Sequence, residues 1–578
     1  MSAKGKFTFI LHSHLPYVLS HGSWPHGTDW LNEAAAETYV PILNMLNSLL
    51  EEGYHPKITI GISPVLGEQL AHPDFKAGFV DYCKQKIKAA QADVVQFSRQ
   101  ERKLMLSLAE MWQNFYQDIL DSFIGRYRQD IPASFGELQR RGAVELMTCG
   151  ATHGYYPLLS QDTSLQAQTN MAVKSHTRLF GARPRGIWLP ECAYRPRYEW
   201  TPPVESAAGK SKYLRKGADE FLSEAGLDYF VIDSVLLKGG KAVGVYMDRF
   251  EALKRLWGQF EGQYAPRDEQ HERSPLDLYL VNSSGENKRP VAIFTRDPGT
   301  GLQVWSGEHG YPGDGNYLDF HKKHFPGGHR YWKVTSAKAD LADKLEYYPP
   351  DAEARLPENA AHFVSLIEAT LTEHYEKTGR VGILAAPFDA ELFGHWWFEG
   401  VNFLGLVLKM VEERENVELT TASEYLDQTK PTQVVSIPEG SWGEGGYHYI
   451  WLNEWVEWTW KHIYNDELAM QRLARLYKDS DNSQLVEIVK QAARELMLLS
   501  ASDWQFLIST WSARDYAELR LTEHHQAFQR LGKLADKLAG GEELTSGERA
   551  FVADCGKRDQ LFVDIELDWF AEVKYPPN

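Results

Sequence analysis

The feature that most constrains the fold is a series of short β-rich runs separated by long stretches with helical periodicity. Candidate strands lie at 6–11, 57–62, 143–148, 185–189, 228–232, 290–296 and 381–387, with 416–420 as a possible eighth. These runs are apolar on both faces and too far apart for hairpins, which predicts parallel strands joined by helical crossovers. The alternation indicates an α/β fold, either a closed barrel or an open sheet.

The residues that follow these strands favour the barrel. Polar and aromatic side chains cluster directly after four of the runs, at 12–14, 149–156, 191–194 and 389–397. Barrel enzymes collect their sites at the carboxyl rim, from many strands at once. A doubly wound sheet would be expected to carry a glycine-rich phosphate loop after its first strand, and the sequence has none there. We therefore predict an α/β barrel.

Two regions without strand signals predict additional helical domains. Residues 65–140 are helix-patterned and are expected to form a domain inserted between the second and third strands. After about 430, helical periodicity returns at 466–478, 483–499 and 523–539, which predicts an all-helical C-terminal domain at 430–578. The barrel would then comprise 1–64 and 141–429. Segments 200–217 and 258–290, rich in Pro, Gly, Ser and charge, are expected to be surface loops.

Charge and cysteine usage restrict the partners and the compartment. Lys plus Arg is 61 and Asp plus Glu is 79, a net charge of −18 that disfavours nucleic acid. Four widely spaced cysteines indicate a reduced compartment better than a disulfide framework or a zinc site. The first apolar run is too short for a secretory signal, and no apolar run reaches the ~18 residues that span a bilayer. We expect a cytoplasmic protein with no membrane or nucleic-acid partner; its oligomeric state is open, and a monomer is compatible.

The aromatic content points to a carbohydrate ligand. Aromatic residues make up 12% of the chain, with 18 Trp and 28 Tyr, more than a core of this size requires. Sugar rings present apolar C–H faces that stack on aromatic planes, while their hydroxyls need polar partners. Clusters that mix Trp and Tyr with Asp, Glu and His are therefore the informative ones.

Two such clusters contain a carboxylate at a strand end. Glu191 follows an apolar run within GIWLPECAYRP (186–196), although a single glutamate there is most often a solvated loop residue or a helix cap. Asp389 follows a second run within ILAAPFDAELFGHWWFEG (383–400), ahead of Glu391, His395 and Trp396. Two carboxylates amid aromatic side chains are what glycosidic-bond chemistry requires: one attacks the anomeric carbon, and the other protonates the leaving oxygen and later activates the acceptor.

The histidines allow a second interpretation. His12 and His14 alternate at the end of the first strand, and with His153 they could bind a metal ion, as in a metal-dependent polysaccharide deacetylase. A third ligand with diagnostic spacing is missing from the sequence. Neutral imidazoles also hydrogen-bond to sugar hydroxyls, so we predict a sugar-binding role and no metal.

Five motifs together resemble glycoside hydrolase family 57. They are HSHLPYV (12–18), ELMTCGATHGYYPLL (145–159), WLPECAY (188–194), FDAELFGHWW (388–397) and LNEWVEWTW (452–460). They occur in the order of the family, cover nearly the whole chain, and look closest to those of its 1,4-α-glucan branching enzymes. The resemblance implies a (β/α)7 barrel, distorted and TIM-like, with an inserted helical domain and a helical C-terminal domain that completes the cleft. It also implies that no metal or organic cofactor is needed.

The same resemblance implies roles for individual residues. Glu191 would be the nucleophile and Asp389 the general acid/base of a retaining mechanism. The implied substrate contacts are His12, His14, His153, Arg296, Trp305, Gly313, Trp396, Trp442 and Asp503, with Trp397 as a further aromatic wall. Tyr264 is the loop tyrosine expected to favour transfer over hydrolysis, with Tyr246 and Tyr279 as alternatives.

The predicted function is therefore that of a retaining α-glucan branching enzyme, which acts on amylose, amylopectin or glycogen during glycogen or starch synthesis. It would cleave α-1,4 links and transfer the chain to a 6-hydroxyl. An α-glucan hydrolase (amylase) or a 4-α-glucanotransferase would use the same two carboxylates on the same scaffold. The deacetylase and a catalytically silent glucan-binding protein are further alternatives: chelators would inhibit the first, and Glu191→Gln would leave the second unchanged.

Overall fold

Seven parallel strands form the barrel of the computed structural model, which describes residues 3–207, 209–238, 273–287, 289–305 and 310–573. They are β1 (Gly5–Ser13), β2 (Ile58–Ile62), β3 (Val144–Cys149), β4 (Gly186–Trp188), β5 (Tyr229–Ile232), β6 (Val291–Thr295) and β7 (Gly382–Asp389). Their order is β7-β1-β2-β3-β4-β5-β6. A single parallel bridge from Arg296 to Ala385 then joins β6 to β7 and closes the ring. The predicted (β/α)7 barrel is confirmed, and this narrow closure is where it is distorted.

Short strands lie at the margins of the barrel. Val417–Leu419, the possible eighth strand, pairs in parallel with the start of β1. Tyr279–Val281 runs antiparallel to β6, and Val434–Val435 pairs in parallel with Tyr279–Val281. The sequence predicts only helices after about 430, so the strand Val434–Val435 was not expected. Two residues are too few to produce a periodic sequence signal.

The segment at 200–217 is only partly the predicted surface loop. Tyr198–Trp200 pairs antiparallel with Tyr213–Arg215. The Arg215 guanidinium is buried 4.0 Å from the Trp200 ring centroid and forms an ion pair with Glu439. Arginine can be buried when its charge is paired and its plane lies on an aromatic ring. The polar composition of this segment did not reveal that pairing, because the partner lies far away in sequence.

Helices cover the outside of the barrel. They also form the segment between β2 and β3 and most of the described chain after 430. Their bounds are Thr28–Ala34, Val40–Glu51, Pro64–Ala71, Pro73–Arg99, Lys103–Asp121, Ile131–Arg140, Asp162–Phe180, Ala218–Glu224, Ser234–Lys238, Pro298–Trp305, Pro349–Thr378, Gly400–Glu412, Ala422–Gln428, Glu457–Tyr477, Ser483–Leu499, Asp503–Thr510, Arg514–Ala539, Ser546–Arg558 and Asp568–Ala571. Between β2 and β3 the chain is helical, as expected, and the division into domains stays a prediction. Among the described residues, no helix is long and apolar enough to cross a membrane.

Strand alternation separates two apolar cores and positions the site. Side chains of successive strand residues point to opposite faces. Phe9 and Leu11 of β1 pack into the large cluster shared with the helices, whereas Ile10 packs with Trp188 inside the barrel. Two residues after Ile10 in β1, His12 stacks on Trp188 with ring centroids 4.8 Å apart. The apolar interior therefore ends at the carboxyl rim, where polar side chains begin.

Candidate active site

The carboxyl ends of the barrel strands open into a cavity of about 410 Å³. The loops after β1, β3, β4, β6 and β7 line it, together with the helix Asp503–Thr510. The predicted site residues that it brings together are His12, His14, His153, Glu191, Arg296, Trp305, Asp389, Trp396, Trp442 and Asp503. The β1–β7 register places His12 directly beside Asp389.

A strained turn positions Glu191 at the end of β4. Glu191 has φ 60° and ψ 28°, and Cys192 has φ 47°, so two consecutive residues other than glycine adopt the left-handed conformation. Such backbone costs on the order of 1–3 kcal/mol per residue and clusters at functional sites. Trp442 holds the turn: its backbone N–H donates to the Glu191 carbonyl at 3.1 Å, and its indole Nε1–H donates to Oε2 at 2.6 Å.

Burial raises the proton affinity of both carboxyl groups, and different neighbours act on each of them. Burial raises the pKa of Glu191 to about 7; the Trp442 hydrogen bond opposes this shift, and the charge of Asp503 adds to it. Burial raises the pKa of Asp389 well above its usual value, helped by the charges of Glu391 and Glu191 and opposed by Arg296. The Trp442 hydrogen bond favours the ionised form of Glu191 that a nucleophile needs, whereas the neighbouring carboxylates favour the protonated form of Asp389 that a general acid needs.

Aromatic rings and Arg296 form one wall around Trp442. Arg296 pairs with Asp233, which directly follows β5, and its guanidinium lies 5.8 Å from the Trp442 ring centroid. The Trp305 and Trp188 rings lie 6.2 and 5.1 Å from the Trp442 ring. This packing fixes the indole that bonds Glu191.

Three imidazoles form the opposite part of the cavity. His14 and His153 stack with ring centroids 3.8 Å apart. His14 Nε2 lies 3.0 Å from an oxygen of Asp503, and His12 Nε2 lies 3.1 Å from His153 Nε2. Burial, together with neighbouring imidazole charge, lowers the pKa of His12 and His153 well below the usual range. Neutral imidazoles suit hydrogen bonds to uncharged sugar hydroxyls.

The same side chains also have the composition of a metal site. Ligand atoms of His14, His153 and Asp503 lie within 4.8 Å of one another, as do those of His12, Cys149 and His153. Either group could hold a metal ion in principle. The absence of a metal therefore stays a prediction, and a chelator is its test.

Some predicted contacts lie elsewhere. Gly313 lines a separate cavity with Tyr311 and His362 and does not reach the central one. Trp397 is buried, with its ring 4.9 Å from that of Phe403, so it is a core residue and the aromatic wall is its neighbour Trp396. Trp396 and Trp397 are adjacent in the motif, and their side chains point to opposite sides. Tyr264 and Tyr246 lie outside the described residues, and Tyr279 lies in the short strand beside β6, away from the cavity lining.

Glu391 is a functional candidate to which sequence reasoning gave no role. It lines the cavity and accepts hydrogen bonds from the Tyr39 hydroxyl at 2.5 Å and the His14 backbone N–H at 3.1 Å. Burial raises its pKa. Its position two residues after Asp389 was the available signal. Trp30, Phe320, Tyr449 and Trp451 also line the cavity; Trp30 lies in the short helix Thr28–Ala34, and the other three come from loops outside the strand pattern.

Gly394 yields a stability prediction within the same motif. It has φ 106°, and a Cβ there would lie 1.8 Å from the carbonyl oxygen of Glu37. We expect Gly394→Ala to destabilise the fold by about 3 kcal/mol or more, because backbone must move. Thermal unfolding followed by circular dichroism measures this. The control is Gly78→Ala, in a helix with nothing within 4 Å of the new Cβ, which should melt no lower than the parent; equal melting of both variants would contradict the clash.

Two models of known protein families match this chain. Residues 8–438 match the family model described as glycosyl hydrolase family 57. The chain belongs to glycosyl hydrolase family 57. Residues 462–570 match a second model, described as 1,4-alpha-glucan branching enzyme, C-terminal. The family 57 match contains Glu191 and Asp389, whereas Asp503 lies in the second match, so both matched regions line one cavity.

Several proteins of known name resemble the chain over almost its full length. The 1,4-alpha-glucan branching enzyme TK1436 of Thermococcus kodakarensis is 42% identical over 99% of this chain and 79% of its own. A branching enzyme structure from Pyrococcus horikoshii has a TM-score of 0.87 at 37% identity, covering 99% of this chain and 98% of that one. The alpha-amylase AmyC from Thermotoga maritima has a TM-score of 0.79 at 28% identity, covering 99% and 100%.

Proposed function

We propose that this family 57 protein is a retaining 1,4-α-glucan branching enzyme. The observation that carries the proposal is that one cavity joins the two barrel carboxyls to the stretch that matches the branching-enzyme C-terminal model. The His14–Asp503 hydrogen bond ties the two parts together at the cavity wall. In this proposal the barrel comprises 1–64 and 141–429, the inserted helical domain 65–140, and the cleft-completing domain 430–578.

Glu191 and Asp389 divide the first chemical step. The Glu191 carboxylate attacks the anomeric carbon, and Asp389 gives its proton to the oxygen of the departing chain, so a covalent glucosyl-enzyme forms. The Trp442 N–H stabilises the ionised carboxylate before attack. His12, His14 and His153 hold the hydroxyls of the sugar that reacts.

The second step decides between branching and hydrolysis. Asp389, now ionised, takes the proton from a 6-hydroxyl of a second glucan, whose oxygen attacks the anomeric carbon and releases Glu191. Water in the same position would give hydrolysis. Transfer wins when the acceptor is held in place and water is kept out. The rings of Trp305, Trp396 and Trp442 are the walls that serve both purposes here.

The test is incubation with linear amylose, followed by iodine absorbance and reducing-end release. Branching predicts that iodine colour falls with few new reducing ends, because each cleaved bond is replaced by a new one. Short chains should then appear only after treatment with a debranching enzyme. Activity that disappears with a chelator and returns with metal would instead show that the histidines hold a functional metal ion.

An α-glucan hydrolase is the second candidate. The similarity to a protein named alpha-amylase, at 28% identity over nearly the full length, favours it. In the amylose experiment a hydrolase would release reducing ends in step with the loss of iodine colour. Treatment with a debranching enzyme would then release no additional short chains.

Replacing Trp442 should shift the pH dependence of the reaction. The indole N–H favours the ionised form of Glu191 and so lowers its pKa. In Trp442→Phe, Glu191 should hold its proton to higher pH. The acid limb of the kcat/KM profile, near pH 7 in the parent, should therefore move up by about one unit, the shift that corresponds to a hydrogen bond to a charged group.

A second ring substitution is the control for this shift. Trp396→Phe also alters the cavity wall, but Trp396 makes no described hydrogen bond to Glu191. Trp396→Phe is expected to bind glucan less tightly, while its acid limb should stay where the parent has it. A limb that moves equally in both variants would show that the indole bond does not control the proton on Glu191.

A further inference from the structure

Two indole rings form an exposed surface outside the catalytic cavity. The Trp455 and Trp511 rings lie 5.1 Å apart and are tilted by 35°; we call this pair the outer platform. Trp511 is 43% exposed, and Trp455 is half-buried. Neither ring lines the catalytic cavity, so the chemistry above does not account for them.

The backbone of Trp511 makes its identity unexpected. It caps the helix Asp503–Thr510 in the left-handed conformation, with φ 57° and ψ 17°. Glycine normally occupies this position, and a bulky side chain there is an outlier. Hydrogen bonds hold the turn, between the Thr510 and Ser512 hydroxyls at 2.8 Å and from the Trp511 N–H to Ile508. Backbone preference does not favour a tryptophan at this position, and 43% of its surface is exposed beside Trp455, which points to a binding role for the ring pair.

The platform lies at the edge of the catalytic cavity. Ser512, the residue after Trp511, lines that cavity, and so does Trp451, four residues before Trp455. Ser512 is exposed while lining the cavity, and its Cα is about 3.8 Å from that of Trp511, so the platform lies beside an exposed part of the cavity lining. A chain-like ligand leaving the cavity past Ser512 would meet the platform next.

The surroundings of the platform define the chemistry of its ligand. Glu454, Glu457 and Asp515 are exposed close to the two rings in sequence, the nearby cation Arg514 pairs with Glu518, and the whole chain carries a charge of −18. This field repels anions. Exposed ring faces with hydrogen-bonding side chains nearby suit a neutral ligand that has apolar C–H faces and hydroxyl edges, which is the surface of a sugar chain.

We propose that Trp455 and Trp511 bind the segment of an α-glucan that extends out of the catalytic cavity. This inference rests on the proposed function in taking a glucan as the substrate. Ring stacking at the platform adds to the binding in the cavity, so long glucans bind more tightly than chains that fill the cavity alone.

The test is native gel electrophoresis of the full chain, with and without amylose in the gel. Glu191→Gln is present in every sample so that the polysaccharide is not processed. Adding Trp511→Gly should weaken the affinity for amylose about five- to tenfold, the usual effect of losing one aromatic contact. Trp511→Tyr should restore most of it. Tyr375→Ala, at an exposed ring on the barrel helix Pro349–Thr378, is the matched control and should migrate like the parent.

Folding and function are separated by two further comparisons. Trp511→Gly relieves the left-handed strain, so it should melt no lower than the parent. Trp455→Ala leaves the Trp511 turn in place and should weaken binding as well. If both variants are retarded by amylose as strongly as the parent, the platform does not bind glucan. This readout is binding, so an amylose digest that lacks branches would refute the proposed function while leaving the gel result to decide the platform.

Discussion

Alanine in place of Glu191 should abolish glucan transfer while the barrel stays folded. Without the carboxylate no covalent intermediate forms, and losing a nucleophile costs about 10³- to 10⁶-fold in kcat. The side chain contributes little to packing, since it projects into the cavity. Initial rates of the iodine assay measure the loss, and far-UV circular dichroism checks the fold.

Azide should restore part of the activity of Glu191→Ala in a way that identifies the missing group. The small anion fits the space left by the carboxylate and attacks from the same face. The product is a glucosyl azide with the anomeric configuration opposite to that of the substrate, because only one displacement has occurred. Nuclear magnetic resonance of the product distinguishes the two anomers.

The control for Glu191→Ala is a second buried glutamate outside the cavity. Burial also raises the pKa of Glu399 to about 7, but its carboxylate accepts from the Leu318 N–H and the Tyr347 hydroxyl, and it does not line the cavity. Glu399→Gln keeps an oxygen for both bonds and should retain most of the activity. If Glu191→Ala keeps its activity too, Glu191 is not the nucleophile.

The barrel could be predicted because its strands carry their signal locally. Each of the seven runs is apolar on both faces, and polar and aromatic residues follow four of them directly; this local pattern indicates both the strand and its carboxyl end. Glu191, Asp389 and His12 therefore emerged from sequence alone. The turn at Glu191 did not, because Trp442 stabilises it from 251 positions further along the chain.

Residues that reach the cavity from loops and short helices were harder to predict. Tyr449 lies in a turn, and Trp30 lies in the seven-residue helix Thr28–Ala34, which is too short for a clear helical period. Gly313 and Trp397 were assigned to the substrate by motif, yet they lie in a second cavity and in the core. A motif fixes positions along the chain, whereas the direction of each side chain depends on packing between distant segments.

Alanine in place of Asp389 should give the complementary result to Glu191→Ala. Glucan cleavage should fall by a comparable factor, about 10³-fold or more, because the departing oxygen receives no proton. A substrate whose leaving group needs no proton, such as α-glucosyl fluoride, should still react with Glu191. Deglycosylation lacks its base, so the covalent glucosyl-enzyme should accumulate and be visible as a mass increase of the intact protein.

Azide then separates the two carboxyl groups by stereochemistry. It needs no base, so with Asp389→Ala it should attack the accumulated intermediate and release a glucosyl azide that retains the configuration of the substrate. Two successive displacements give retention, whereas the single displacement in Glu191→Ala gives inversion. Burial and the charges of Glu391 and Glu191 raise the pKa of Asp389 and so favour the protonated form that a general acid needs. An inverted product from Asp389→Ala, or a retained one from Glu191→Ala, would mean that the two roles are exchanged.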